Sequence, residues 1–89
     1  MIKLSMPIIV EGKYDKITLE NVVDTLIIAT NGFAIFRDKE KCELIKTFAL
    51  REGIIVLTDS DSAGIMIRNH IKNIAKDGKV FNLYIPRIK

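Results

Sequence analysis

The chain has 89 residues, 48% of them hydrophobic and 28% charged, a size and balance that fit one folded domain and exclude a disordered segment. One cysteine, Cys42, excludes an intrachain disulfide framework and a multi-cysteine zinc site. No apolar run approaches the ~20 residues of a membrane span, the first residues lack a signal-peptide pattern, and the net charge of +3 only weakly favours a polyanion partner, so a reducing, cytoplasmic protein without a membrane partner is expected.

Pro7-Ile8-Ile9-Val10 is a short apolar run that stops at Glu11-Gly12, as a strand buried on both faces does. Asp15 is placed to cap a helix over Lys16 to Val23, with Leu19, Val22 and Val23 inward. Leu26 to Ala29 forms a second strand, stopped by Thr30-Asn31-Gly32. Asp38 caps a second helix from Lys39 to Glu52, with Leu44, Ile45, Phe48 and Ala49 as its apolar stripe. Gly53 ends that helix. Ile54-Ile55-Val56-Leu57 is the third strand, apolar throughout and therefore central, and it runs into Thr58-Asp59-Ser60-Asp61. A third helix spans about Ser62 to Ala75, with Ile67, Ile71, Ile74 and Ala75 inward, and Gly78 closes it. Lys79 to Ile85 is the last strand, stopped by Pro86. It has Val80, Asn82 and Tyr84 on one face and Phe81, Leu83 and Ile85 on the other, a pattern suited to a sheet edge.

Alternating strands and helices imply parallel pairing through right-handed crossovers. The expected fold is therefore α/β, a four-stranded parallel sheet in the order 2-1-3-4 with three helices distributed over both faces. In that order the first and third strands are neighbours, and their carboxyl ends form the switch point where open α/β sheets bind ligands.

Three carboxylates fall there. Glu11 ends the first strand, and Asp59 and Asp61 follow the third. A spacing of two in extended chain turns Asp59 and Asp61 the same way. Crowded carboxylates repel one another, and a hard divalent cation such as Mg²⁺ relieves them, taking one or two carboxylates with waters and phosphate oxygens. Gly12 and Gly64 leave room for a phosphate near the backbone, and the start of the third helix favours an anion. An aspartate ahead of a helix is ordinarily a cap, which would account for Asp61 and Asp15 alone. Glu11 together with the aspartate pair, at the ends of adjacent central strands, is harder to explain by capping.

Ile9-Val10-Glu11-Gly12-Lys13-Tyr14-Asp15 and Leu57-Thr58-Asp59-Ser60-Asp61-Ser62-Ala63-Gly64 together resemble the Toprim domain of topoisomerases, primases and certain nucleases, over nearly the whole chain. Within that superfamily, Thr30-Asn31-Gly32-Phe33-Ala34-Ile35 and Ile65-Met66-Ile67-Arg68 resemble the M-five maturation ribonuclease of Gram-positive bacteria, which trims the precursor of 5S ribosomal RNA. Small stand-alone Toprim proteins are similar almost to the same degree. The resemblance implies one Toprim domain over residues 1–89 and a Mg²⁺-dependent endoribonuclease, with Mn²⁺ as an alternative ion. It implies structured RNA, a ribosomal RNA precursor, as substrate and a ribosomal-protein helper. In the maturation ribonuclease an RNA-binding region of comparable size follows, whereas this sequence ends at Lys89. Some Toprim proteins carry a third acid where this chain has Ala63, so a two-aspartate site is implied.

On this reading Asp59 and Asp61 hold the metal, directly or through water, and Glu11 either joins that shell or acts as general acid/base. The family pattern also marks Gly12, Lys13 and Asp15. Lys13 fits a phosphate contact as well as it fits a solvated surface lysine. Arg68, two turns into the third helix, is expected to reach a neighbouring phosphate, and Asn31 and Gly32 to border the bound RNA. His70, the single histidine, is not expected to be a metal ligand, and Cys42 is expected to be a spectator. Phe33 and Phe36, beyond Asn31-Gly32, are placed either to stack on a base or to pack under the loop, and packing is the expectation. The separate nucleophile domain of a topoisomerase and the polymerase scaffold of a primase have no counterpart. The alternative is a non-catalytic or regulatory metal-dependent nucleic-acid-binding module. A receiver-like phosphoacceptor fits less well, because no suitably placed lysine ends a later strand.

Overall fold

The computed structural model describes residues 1–59 and 61–85. Ser60, Pro86 at the expected stop of the last strand, and the side chain of Ile85 lie outside the described residues.

In chain order the elements are β1 (Ile2–Lys3), β2 (Ile8–Val10), α1 (Lys13–Glu20), β3 (Val23–Asp24), β4 (Ile27–Ala29), a 3₁₀ helix (Gly32–Arg37), α2 (Lys39–Arg51), β5 (Ile54–Asp59), α3 (Ser62–Ile74) and β6 (Val80–Ile85). The main sheet is parallel and runs β4-β2-β5-β6, which is the expected 2-1-3-4 order. Side chains alternate across it. Ile9, Ile28, Ile54 and Val56 pack with Ile35 of the 3₁₀ helix, with Ile45 and Ala49 of α2, and with Ile67 and Ile71 of α3. Ile8, Val10 and Ile27 form a smaller core on the α1 side, with Leu4, Leu19, Val23, Ile55 and Leu57 against it. Ile9 is fully buried at the centre, and truncating such a residue to alanine typically costs about 2–5 kcal/mol.

Several expectations change. The first helix starts three residues early, with Gly12 as the extended residue before it. Asp15 therefore sits one turn inside, not at the cap, and its Oδ2 accepts the Gly12 N–H at 3.3 Å. The helix ends at Glu20, so Val22 and Val23 do not belong to it. Val23–Asp24 instead pairs in parallel with Ile2–Lys3 to form a second, two-stranded sheet, where β-branched residues fit an extended chain. Asp38 caps α2 as expected, accepting the Lys41 N–H at 3.0 Å. Leu44, however, is 45% exposed, so the inward stripe of α2 is Cys42, Ile45, Phe48 and Ala49. Phe33 and Phe36 also do not pack under their loop. They are 53% and 43% exposed on the 3₁₀ helix, whose buried residue is Ile35.

Candidate active site

Glu11 and Asp59 stand at the carboxyl ends of the two central strands, because β2 pairs with β5 in a register that sets Val10 opposite Leu57. Glu11 is held from two directions. Its main-chain carbonyl accepts from the Thr30 hydroxyl at 3.0 Å and the Gly32 N–H at 3.1 Å, both from the chain leaving β4. Its Oε1 accepts the Asp59 N–H at 2.9 Å, across to β5. Burial pushes the Glu11 carboxyl above the ordinary carboxylate range, the Asp59 N–H opposes this, and the charges of Asp61, Asp59 and Asp15 push it further up. The structure thus brings Asp15, Asp59 and Asp61 within electrostatic reach of Glu11.

β5 runs two residues further than expected, so Asp59 is its last residue. Asp61 takes an extended conformation and caps α3, its Oδ1 accepting the Gly64 N–H at 2.7 Å. Gly64 is buried against this corner. A Cβ there would stand 2.2 Å from the Asp59 carbonyl oxygen and 2.7 Å from Glu11 Oε1. At Gly12 a Cβ would meet only Asp15 Oδ2, at 3.7 Å. The two glycines thus have different reasons to exist: Gly64 is required by packing, and Gly12 leaves open surface beside Glu11.

The donors suit a hard divalent cation in kind, since all are carboxylates. Among the described residues no group of three histidine, cysteine, aspartate or glutamate side chains is arranged to hold a metal ion by itself. One oxygen of Glu11 and one of Asp61 are occupied by backbone N–H groups. Such a site fits an ion that takes one or two carboxylates and completes its shell with water and phosphate, which is the habit of Mg²⁺.

Asn31 and Gly32 follow β4 with φ of 62° and 64°, two successive left-handed residues that asparagine and glycine tolerate. They turn the chain past Glu11 into the 3₁₀ helix. On one side of Asn31 lies a concavity of ≈ 550 Å³ bordered by Lys13, Lys16 and Lys41, among others. Lys16 and Lys41 carried no signal in the sequence, because the pattern gave no reason to bring α1 and α2 to one edge of the sheet. Lys41 is anchored there, with Nζ donating to the Ala29 carbonyl at 2.7 Å.

Arg68 lies inside the fold. It is 3% exposed, its Nη2 donates to the Thr58 hydroxyl at 2.7 Å and to the Leu83 carbonyl, and the Tyr84 ring lies 3.8 Å from the guanidinium carbon. Burial weighs against its charge, while Tyr84 and Glu11 support it. Arg68 therefore joins α3, β5 and β6 through Thr58 and Leu83, while its Nε and Nη1 are buried and make no hydrogen bond among the described residues. The signal that identifies this role is helical phase, since Arg68 follows Ile67 and precedes Ile71 on the inward side of α3.

The chain matches the family model described as Toprim domain over residues 7–88. It is 36% identical over 86 residues to Ribonuclease M5 of Fusobacterium nucleatum, covering 97% of this chain and 45% of that protein. It is 39% identical over 89 residues to Ribonuclease M5 of Mycoplasma capricolum, covering 98% and 48%. The chain thus spans about half the length of these relatives. Among solved structures it superposes on a small Toprim domain protein from Bacillus stearothermophilus with a TM-score of 0.68 and 31% identity, covering 98% of this chain and 69% of that one. Among the described residues no helix is long and apolar enough to cross a membrane.

Proposed function

Because this chain belongs to the Toprim domain family, we propose that it is the catalytic domain of a divalent-metal-dependent endoribonuclease that hydrolyses RNA phosphodiesters. The substrate is a structured ribosomal RNA precursor, with a ribosomal protein as helper, and the setting is the cytoplasm. The names of the Ribonuclease M5 relatives support the substrate class.

The observation that carries the catalytic reading is Glu11. It is pinned through Oε1 to the Asp59 N–H and held above its ordinary pKa by burial and by three neighbouring aspartates. A carboxyl raised in this way holds a proton more readily than an ordinary carboxylate, which suits it to proton transfer. Its place is the switch point of the sheet, where α/β folds bind ligands. Asp59 and Asp61 would hold Mg²⁺ or Mn²⁺ with Glu11 beside them, and the bound ion supplies charge stabilisation at the phosphate and an activated water. Gly12 leaves the backbone open to the phosphate. Lys13, Lys16 and Lys41 line the adjoining concavity and steer the RNA backbone toward it. Asp15 fixes the Gly12 N–H and so shapes the rim.

The test is cleavage of a structured ribosomal RNA precursor with and without Mg²⁺. Cleavage should require the ion, and Asp59→Asn with Asp61→Asn should abolish both cleavage and the rise in melting temperature on adding Mg²⁺. Glu11→Gln should lower turnover ~100-fold with RNA affinity near wild type. Turnover that survives chelation, or that is unchanged in Glu11→Gln, would sink this reading. RNA binding with no cleavage under any metal would favour the non-catalytic module instead.

A further inference from the structure

The hydrogen-bond ladder between the two central strands ends in an unusual rung, at the acids. Along β5 the N–H groups alternate between its two neighbours. Ile54 donates to the Lys79 carbonyl just ahead of β6, and Ile55 to the Pro7 carbonyl just ahead of β2. With Val10 opposite Leu57, the rung that follows would run from the Asp59 N–H to the Glu11 carbonyl. That carbonyl is taken by Thr30 and Gly32, and the Asp59 N–H bonds instead to Glu11 Oε1 at 2.9 Å. A carboxylate thus stands in for the main chain, and it keeps its place only while the Asp59 N–H points at it. On the other side β5 stays paired with β6 as far as Asp59 opposite Ile85. This end of β5 therefore leans on β6.

Arg68 crosses that pairing from α3. Its Nη2 donates both to the Thr58 hydroxyl, at 2.7 Å, and to the Leu83 carbonyl. Thr58 directly precedes Asp59, and Leu83 lies opposite Leu57. One nitrogen therefore ties β5 to β6 a single residue before the N–H that Glu11 needs. The Tyr84 ring, 3.8 Å from the guanidinium carbon, packs against the group. Packing alone does not call for an arginine here. Its Nε and Nη1 are buried without a hydrogen bond among the described residues, and an apolar side chain of similar length would fill the space without burying a charge. What an apolar side chain lacks is the double donation that sets the last peptide of β5.

We infer that Arg68 is a positioning residue: by holding the Thr58 hydroxyl and the Leu83 carbonyl it aims the Asp59 N–H at Glu11 Oε1, and so sets the Glu11 carboxyl beside Asp59. The inference rests on the catalytic reading above and adds to it a residue that acts through Thr58 and Asp59.

The test uses Arg68→Met, which keeps the apolar stem, and the double variant Arg68→Met with Thr58→Val, which leaves no hydroxyl without its donor. Amide exchange is followed by NMR in chelator, well below the melting temperature of each variant. Ile55 is the reference, because its bond to Pro7 lies at the far end of β5. In both variants the ratio of the Asp59 to the Ile55 exchange rate should rise about 10-fold. Turnover of structured RNA with Mg²⁺ should fall about 10- to 100-fold, with KM near wild type. A ratio that stays level or falls means that Arg68 supports the fold as a whole, and the inference is overturned. A raised ratio with wild-type turnover also overturns it, while the catalytic reading stands. If the wild-type chain cleaves no RNA with any metal, the catalytic reading falls, and the exchange ratio alone decides whether Arg68 aims the Asp59 N–H.

Discussion

The two loops that leave the central strands of the sheet are built in opposite ways. After β5, the corner where Asp59 and Asp61 meet Gly64 is crowded. Gly64 has no space for a methyl group, Asp61 caps the helix behind it, and Arg68 grips Thr58 from below. After β2, the chain from Glu11 to Lys13 is open, a Cβ at Gly12 would meet ordinary contact only, and Lys13 is exposed. The crowded loop fixes where the carboxylates stand, and the open loop leaves the surface that a ligand can approach. Rigid support under one wall of a site and an accessible opposite wall is the division that catalytic preorganisation needs.

The sharpest test of this division is Arg68→Ala. It leaves the Thr58 hydroxyl and the Leu83 carbonyl without their donor and removes the guanidinium under Tyr84. A loss of about 2–4 kcal/mol in unfolding free energy is expected, from an unsatisfied buried group together with lost packing. Chemical denaturation would measure it, and a value near zero would show that the crowded loop does not depend on its underside.

Gly64→Ala comes next, at about 1–3 kcal/mol, because the added methyl forces the Asp59 carbonyl and Glu11 Oε1 apart. It should also blunt the rise in melting temperature on adding Mg²⁺. The reverse outcome, a stable variant with an intact metal response, would mean that the corner relaxes freely.

A smaller effect of opposite sign is expected at Glu11. Its carboxyl is raised in the folded state by burial, with Asp61, Asp59 and Asp15 adding to this. The folded protein therefore binds a proton more tightly than the unfolded chain does. Stability then declines as pH rises from the ordinary carboxylate value to the raised one, and levels off above it. Gln at this position still accepts the Asp59 N–H and carries no charge. In chelator, Glu11→Gln should melt with the wild type at about pH 4 and above it at about pH 8. Adding Mg²⁺ should narrow the difference by stabilising the wild type more. A wild-type melting curve flat across that range would remove the electrostatic strain from the account.

The smallest change in stability belongs to Gly12→Ala, within about 0.5 kcal/mol, as its backbone is in the ordinary extended region and its Cβ has space. RNA binding or cleavage should nonetheless fall. If stability and RNA response both stay at wild-type levels, the open loop is not a ligand surface.

Much of this molecule was legible before folding. The continuous apolar runs of β2 and β5 are buried on both faces, as central parallel strands must be. Their order and the caps Asp38 and Asp61 followed from period and capping chemistry alone. Local sequence determines these because strand burial, helix phase and side-chain capping act over a few residues. The first helix slipped because Asp15 works equally well at the cap and one turn later, a choice made by where Gly12 N–H points. The pairing of Ile2–Lys3 with Val23–Asp24 was not legible, since two short runs with no turn between them become partners only when α1 returns the chain. The placements of Arg68, Lys41 and Phe33 were likewise decided in three dimensions. A charged side chain is buried, anchored or exposed according to what lies opposite it, and an aromatic on a loop packs inward only if the fold leaves it room. Those neighbours come from distant parts of the chain: Leu83 and Tyr84 over Arg68, Ala29 beside Lys41, His70 behind Phe36. The sequence by itself determined the sheet and the acids at its switch point, while only the tertiary structure decided which cations and rings are buried, anchored or exposed, because their placement depends on long-range packing and not on local pattern.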